Sequence, residues 1–273
     1  MLLSERIRQL FANPIRSGTI HISKVGRCSI PLLSHVPICY IVTTDTLDGI
    51  SRMFPLLASK ITHLCSETYV VRASFPQVDC LEVYTRIATL YLLHCRRGTP
   101  CLVLQHDALV PNDILQVHAR RFGEIDAFLE RMPEGCVFSL GSIGRLESVK
   151  DATSAIFKFS NEVVCCHAMV LCKSFFQCLL KNEVALWDRN MKMEDVVGRT
   201  GTVVYSYYVA ALTRQPGRQM SVNAFVRHIL STRRGWDFMF FACRNPTLSS
   251  LSIFVGWMVA CKAVLCTLPV SES

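Results

Sequence analysis

The sequence predicts an α/β domain, a mainly parallel sheet with helices on both faces. Two observations carry that prediction. Short continuous apolar runs rich in β-branched residues alternate with stretches whose apolar residues recur at helical spacing, the pattern of strands buried on both sides and joined by helices. A chain of 273 residues with 51% hydrophobic content also has material for a sizeable core.

Residues 1–35 read as an N-terminal extension, a short amphipathic stretch followed by Pro14, Gly18 and Gly26. The domain proper spans 36–217. "PICYIVTT" (Pro37 to Thr44) suits a fully buried strand, and Asp45-Thr46 caps a helix whose face is Leu47, Ile50, Met53 or Phe54, and Leu57. "TYVVRAS" (Thr68 to Ser74) is the second strand. A helix then presents Leu81, Tyr84, Ala88, Tyr91, Leu92 and Cys95 and stops at Gly98. "CLVLQ" is the third strand, followed by a helix from Asn112 or Asp113 with Ile114, Val117, Phe122, Ile125 and Leu129 on its core face, then by "CVFSL". After a less regular stretch near 145–160 come the strand-like "VVCCHAMVL", a short helix from Ser174 to about Lys181, the polar "WDRNMKMED" and the strand "TVVYSYYV".

Residues 218–273 form a C-terminal extension. Within it, 247–270 are mostly apolar and near bilayer-spanning length, with Arg233, Arg234 and Arg244 as a basic flank. Lys262 near the middle would cost about 2.5–3.5 kcal/mol on insertion, so a tail anchor and a buried helix both stay open. The charges at Glu5, Arg6 and Arg8 break any signal-peptide core, so the expected location is cytoplasmic or membrane-associated.

The net charge of +8 favours anionic partners. The arginines come in pairs without interleaved aromatics, so no nucleic acid is expected. Fourteen cysteines lie scattered in apolar runs without a CxxC pair, which suits small buried hydrophobes rather than zinc ligands.

"LVLQHDALVPND" (Leu102 to Asp113) ends a buried strand in Gln105, His106 and Asp107 and turns at once toward a helix. Strand ends are where α/β sheets collect ligands. A carboxylate there suits a divalent cation on a nucleotide diphosphate, the group whose negative charge grows as a glycosidic bond breaks; a plain turn residue before Pro111 is the alternative.

Five stretches in order resemble glycosyltransferase family 25, the lipooligosaccharide and collagen galactosyltransferase group. They are "ICYIVTTDTLDGISRM" (Ile38 to Met53), "DCLEVYTRIATLYLLHCRRGTPCLVLQHDALV" (Asp79 to Val110), "HAMVLCKSFFQCLL" (His167 to Leu180), Leu186-Trp187-Asp188, and "VVYSYYVAALTRQPG" (Val203 to Gly217). The resemblance covers about residues 37–217 and implies a GT-A-like fold and transfer of a galactose-type sugar from a nucleotide-diphosphate donor such as a UDP-sugar. The acceptor would be a hydroxyl of a glycan, lipid-linked or protein substrate, with inversion, and a membrane surface is a further expected partner.

The resemblance also implies roles for particular residues. The family's Glu-Asp-Asp motif corresponds to Gln105-His106-Asp107, so Asp107 and His106 are the expected ligands of manganese or another divalent cation, weakly held because two carboxylates are replaced. The family's Ser-His is missing near Glu82-Val83-Tyr84. Asp188 is the expected general base, with Glu194 or Asp195 as fallback. Asp45, Arg52, His167 and Gln215, with Arg214, are expected near the donor, although Asp45 reads equally as a helix cap and His167 as a core histidine. A catalytically inactive relative acting as a binding or regulatory partner is the alternative to an active enzyme.

Overall fold

A computed structural model describes residues 19–44, 61–74, 80–94, 98–106, 108–109, 119–141, 146–148, 156–159, 167–181, 196–198, 200–207 and 212–214. With strands numbered in chain order, β2 (Ile38–Thr44) is the strand about which the first half of the sheet forms. Its β-branched residues suit a pleated surface packed on both sides, and only Thr44 is less than buried. β3 (Glu67–Ala73) and β4 (Cys101–Gln105) flank it, both parallel, with Ile41 opposite Val70 on one side and Leu104 on the other.

β1 (Ile20–Arg27) pairs antiparallel with β3 and forms one sheet edge. It lies within the stretch read as an N-terminal extension, and the reason is visible in its alternation: Ile20 and Ile22 pack against the core while His21 between them is exposed. A register shift between Lys24 and Gly26, together with Lys24 itself, blunts this edge against pairing with other chains. Lys24 and the Tyr69 hydroxyl, the latter at 2.7 Å, both bind the Glu67 carboxylate and hold its pKa below the usual glutamate value.

Beyond β4 lies β9 (Ala168–Leu171), then β6 (Cys136–Ser139), β10 (Val203–Tyr207), β8 (Ile156–Phe159) and β7 (Leu146–Ser148), completing a nine-stranded sheet. β9 is antiparallel to both of its neighbours, whereas β10 runs parallel to β6. Strands β2, β3, β4, β6, β7 and β10 therefore point one way and β1, β8 and β9 the other. Helix–strand alternation in the sequence could not show the reversal at β9. The segment before it carries the antiparallel strands β7 and β8, and an antiparallel return needs no crossover helix. A separate two-stranded sheet joins β5 (Ala108–Leu109) to β11 (Thr213–Arg214).

Helices cover both faces, as the fold class requires. α1 (Cys80–His94) and α3 (Lys173–Lys181) pack together on one face, where Tyr91 and Phe176 stack with ring centroids 4.8 Å apart. Complete burial of a side chain such as Phe176 contributes about 1.5–3 kcal/mol. Leu81, Val83, Tyr84, Ile87, Ala88 and Tyr91 of α1 meet Tyr40, Val42, Val71 and Val103 of the sheet. α2 (Ala119–Leu129) covers the opposite face with Phe122, Ile125 and Leu129. The helix expected from Asp45, and the start of the helix expected from Asn112, lie outside the described residues, as do 247–270; among the described residues no helix is long and apolar enough to cross a membrane.

α2 is fastened to the loop before β2 through Asp126. One carboxylate oxygen accepts the His35 backbone N–H at 3.0 Å, and the other accepts the Ser34 hydroxyl at 2.6 Å and lies 3.1 Å from His35 Nδ1. Asp126→Ala leaves both donors on the loop without this acceptor, and the expected outcome is a loss of about 1–3 kcal/mol in unfolding free energy, read as a lower urea midpoint at unchanged slope.

Candidate functional site

In open α/β sheets, ligands settle beyond the carboxyl ends of strands where the strand order reverses. Here the chain leaves β2, adds β3 on one side, then returns to add β4 on the other, so the reversal lies between the ends of β2 and β4. Backbone hydrogen bonds close this edge together. The His106 N–H donates to the Val42 carbonyl at 2.8 Å, continuing the β2–β4 ladder one residue past β4, and the Gln105 N–H donates to the His167 carbonyl at 2.8 Å. Across β9, the Leu140 N–H reaches the Ala168 carbonyl and the Leu212 N–H the Leu140 carbonyl, each at 2.9 Å.

The core shows a polar bias toward this same edge. Among the described residues the buried polar or charged side chains are Thr43, Thr68, Arg72, Ser139, His167 and Ser206. Thr43, Arg72 and Ser206 are the penultimate residues of β2, β3 and β10, Ser139 ends β6, and His167 stands immediately before the oppositely directed β9. All five therefore sit at the carboxyl edge, and Thr68 alone lies at the other end. Burying polar groups is costly, so their concentration on one rim makes that rim the candidate site. By strand alternation Ser139, His167 and Ser206 share the face carrying α1 and α3, while Thr43 and Arg72 share the face carrying α2.

Of the residues expected from sequence, His106 and His167 are described, and both reach this edge. Half-buried His106 sits in the turn after β4, and His167 is fully buried with its ring laid against Gly141. Asp45, Arg52, Asp107, Asp188, Glu194, Asp195 and Gln215 lie outside the described residues. Gln105 and His106 bring an amide and an imidazole to the edge, and neither supplies negative charge. Among the described residues no group of three His, Cys, Asp or Glu could hold an ion, so the described donors alone do not fit a hard divalent cation.

Sequence reading missed the other polar residues of the rim. Arg72 is a lone charge inside the apolar run "TYVVRA", and Ser139 and Ser206 interrupt apolar runs in the same way, a signal that alternation counting passes over. It also missed Tyr207, which ends β10 and donates from its hydroxyl to Glu124 Oε2 at 2.6 Å. Arg120 donates to the other Glu124 oxygen at 3.1 Å, and Arg121 lies 5.5 Å from the Tyr207 ring centroid. The Tyr207 hydroxyl, with Arg120, holds the Glu124 carboxyl below the usual glutamate value against the opposing effect of burial.

The described cysteines form no disulfide. Burial, followed by the neighbouring Cys172, pushes the Cys136 thiol up to about 12, and burial followed by Cys39 raises Cys65, so neither is a nucleophile at neutral pH.

Two outcomes follow from this geometry. A Cβ on Gly141 would stand 2.6 Å from the Leu212 carbonyl and closer still to the His167 ring, so Gly141→Ala should cost about 1–3 kcal/mol in urea unfolding, and adding His167→Ala should recover part of that loss. Because the Glu124 pKa is depressed on folding, its contribution is present above the ordinary glutamate range and lost as pH falls through the folded value. Tyr207→Phe removes the first cause of that depression, so the acid-unfolding midpoint should move to higher pH in a circular-dichroism titration.

No family model matches the chain, and no curated protein matches it. Among solved structures it is similar to the inositol-1-phosphate CTP transferase from T. maritima, at 13% identity and a TM-score of 0.42, over 74% of this chain and 98% of that one.

Proposed function

We propose that the protein is a transferase that uses a nucleotide-diphosphate sugar, held beyond the carboxyl ends of β2 and β4. The observation that carries this reading is the gathering of Thr43, Arg72, Ser139, His167 and Ser206 on the rim that includes the strand-order reversal. An anionic donor also agrees with the net charge of +8.

In its finer form the reaction moves a galactose-type sugar from a UDP-sugar to a hydroxyl of a glycan, lipid-linked or protein acceptor. Asp188, or Glu194 in its place, takes the proton of the acceptor hydroxyl as its oxygen bonds to the anomeric carbon. The bond from that carbon to the diphosphate breaks on the opposite side, so the configuration inverts and the nucleoside diphosphate leaves. Asp45, Arg52, His167 and Gln215 belong to the donor side of the site in this scheme. Asp107, next in the chain after His106, supplies the carboxylate that a divalent cation would need there. Residues 247–270 are proposed to associate with a membrane surface, which suits a lipid-linked acceptor.

A second reading has its own observation. Gln105 and His106 stand where the resembling family has carboxylates, which favours a protein that binds the nucleotide sugar without turning it over. Calorimetric titration with UDP-galactose, with and without manganese, together with a radiolabel transfer assay, separates the two. Binding and transfer that Asp107→Ala abolishes supports the enzyme, and binding with no transfer supports the inactive relative. An absence of binding to any nucleotide sugar would sink both.

A further inference from the structure

We propose that the side-chain amide of Gln105 donates a hydrogen bond to a diphosphate oxygen of the bound ligand, so that the ligand is held at the end of β4 without a divalent cation; that the diphosphate belongs to a nucleotide sugar rests on the function proposed above. Gln105 closes β4 at the strand-order reversal, and it is half-buried where the four residues before it are buried. Its backbone is fixed from both sides. It pairs with Val42 of β2, and its N–H donates to the His167 carbonyl ahead of β9. Among the described residues, none hydrogen-bonds to its side chain. Strand alternation puts that side chain on the face of Cys101 and Val103, which carries α1 and α3. His167 stands opposite Gln105 on the same face, but its ring lies against Gly141, past the end of β6. The ring therefore leans toward β6 and not over Gln105.

The chemistry of this strand end points to an anion. A hard divalent cation favours anionic oxygen ligands, and neither Gln105 nor His106 after it provides one. An amide instead offers two N–H donors without charge. A diphosphate oxygen is an ionised acceptor, and a hydrogen bond to such an acceptor is stronger than one between neutral groups. The donors that do not fit the cation thus fit the anion it would have bridged. A carboxylate at position 105 would repel a diphosphate unless a cation lay between them, whereas an amide meets it directly. The net charge of +8 supplies the longer-range attraction. Holding the diphosphate is in this way separated from the Asp107 carboxylate, whose role lies in transfer.

The experiment titrates the full chain calorimetrically with inorganic pyrophosphate, UDP and uridine in EDTA, and with UDP in manganese, for wild type, Gln105→Leu and Gln105→Glu, with folding followed by circular dichroism. Wild type is expected to bind pyrophosphate and UDP in EDTA, with UDP affinity changed less than threefold by manganese. Gln105→Leu should weaken both tenfold or more and leave uridine unchanged. Gln105→Glu should lose UDP in EDTA and regain it in manganese, the reverse of the wild-type independence. Should neither variant fold, the Nε2 amide resonances of Gln105 in the wild type are expected to shift on adding pyrophosphate and not on adding uridine. Wild-type binding of UDP or UDP-galactose only with manganese overturns the proposal and leaves the transferase reading in place. Variants that bind pyrophosphate like wild type, equal weakening of uridine and UDP, or resonances unmoved by pyrophosphate overturn it as well. Gln105-dependent pyrophosphate binding without affinity for UDP or nucleotide sugars would keep the anion contact and remove the transferase reading.

Discussion

The hydrogen bonds that β9 makes on both of its sides join the two halves of the sheet. On one side lie β2, β3 and β4 with the edge strand β1, and on the other β6, β10, β8 and β7. Within the nine-stranded sheet β9 stands between those halves, and its residues Ala168 to Leu171 are all buried. A strand in this position must be paired on both sides and covered on both faces, since an unmet backbone group at the centre of the sheet would carry the full penalty of desolvation. The four-residue run "AMVL" meets that demand with apolar side chains that carry no polar group to satisfy. The rim follows from the same constraint, because β9 runs against its neighbours and so brings the start of the strand, with His167, to the carboxyl ends of β4 and β6.

This placement explains why polar residues collect where they do. The interior of the sheet offers no partners beyond its own ladder, so a hydroxyl, imidazole or guanidinium is tolerated only where strands end and backbone groups turn outward. The Ser206 hydroxyl uses such a group, donating to the Ser139 carbonyl at 3.2 Å, and the Gly141 N–H in turn donates to the Ser139 hydroxyl at 3.3 Å. Gly141 has to be glycine for a related reason: the buried His167 ring and the Leu212 carbonyl occupy the volume that a side chain would take. At this point the packing of the core and the shape of the rim are set by the same atoms.

Much of the architecture was legible in the sequence because continuous apolar runs and helical periodicity report burial directly. β2, β4 and α3 emerge within a residue or two of the expected bounds, and α1 takes up the expected face from Leu81 to Leu92. The strands that escaped notice have local patterns too short or too polar to read. β8 is only "IFKF", and β1 alternates in a segment whose prolines and glycines resemble a linker. The direction of β9 was beyond reach for a different reason, since it depends on where the chain returns and not on what its residues prefer. The rim followed the same division. His106 was singled out by its place at the end of a buried strand and His167 by its match to the resembling family, whereas Arg72 and Thr43 become a pair only through the β2–β3 register, which brings together residues nearly thirty positions apart.

The small sheet of β5 and β11 adds a coupling that neither segment announces on its own. Ala108 pairs with Arg214 and Leu109 with Thr213, and the Leu212 N–H is bound to the Leu140 carbonyl at the end of β6. The chain just past the end of β4 is thereby tied to the segment that follows β10, about a hundred residues later. A two-stranded pairing is marginal by itself and lasts only when packing supports it; here Ala108 and Leu212 are both buried in the cluster under α2. The turn at His106 is thus held on one flank by the β2 ladder and continued on the other into a pairing anchored in the core. A displacement at the end of β4 has to strain one of these two attachments, so the geometry around Gln105 and His106 is a property of the whole sheet and not of the local sequence that suggested it.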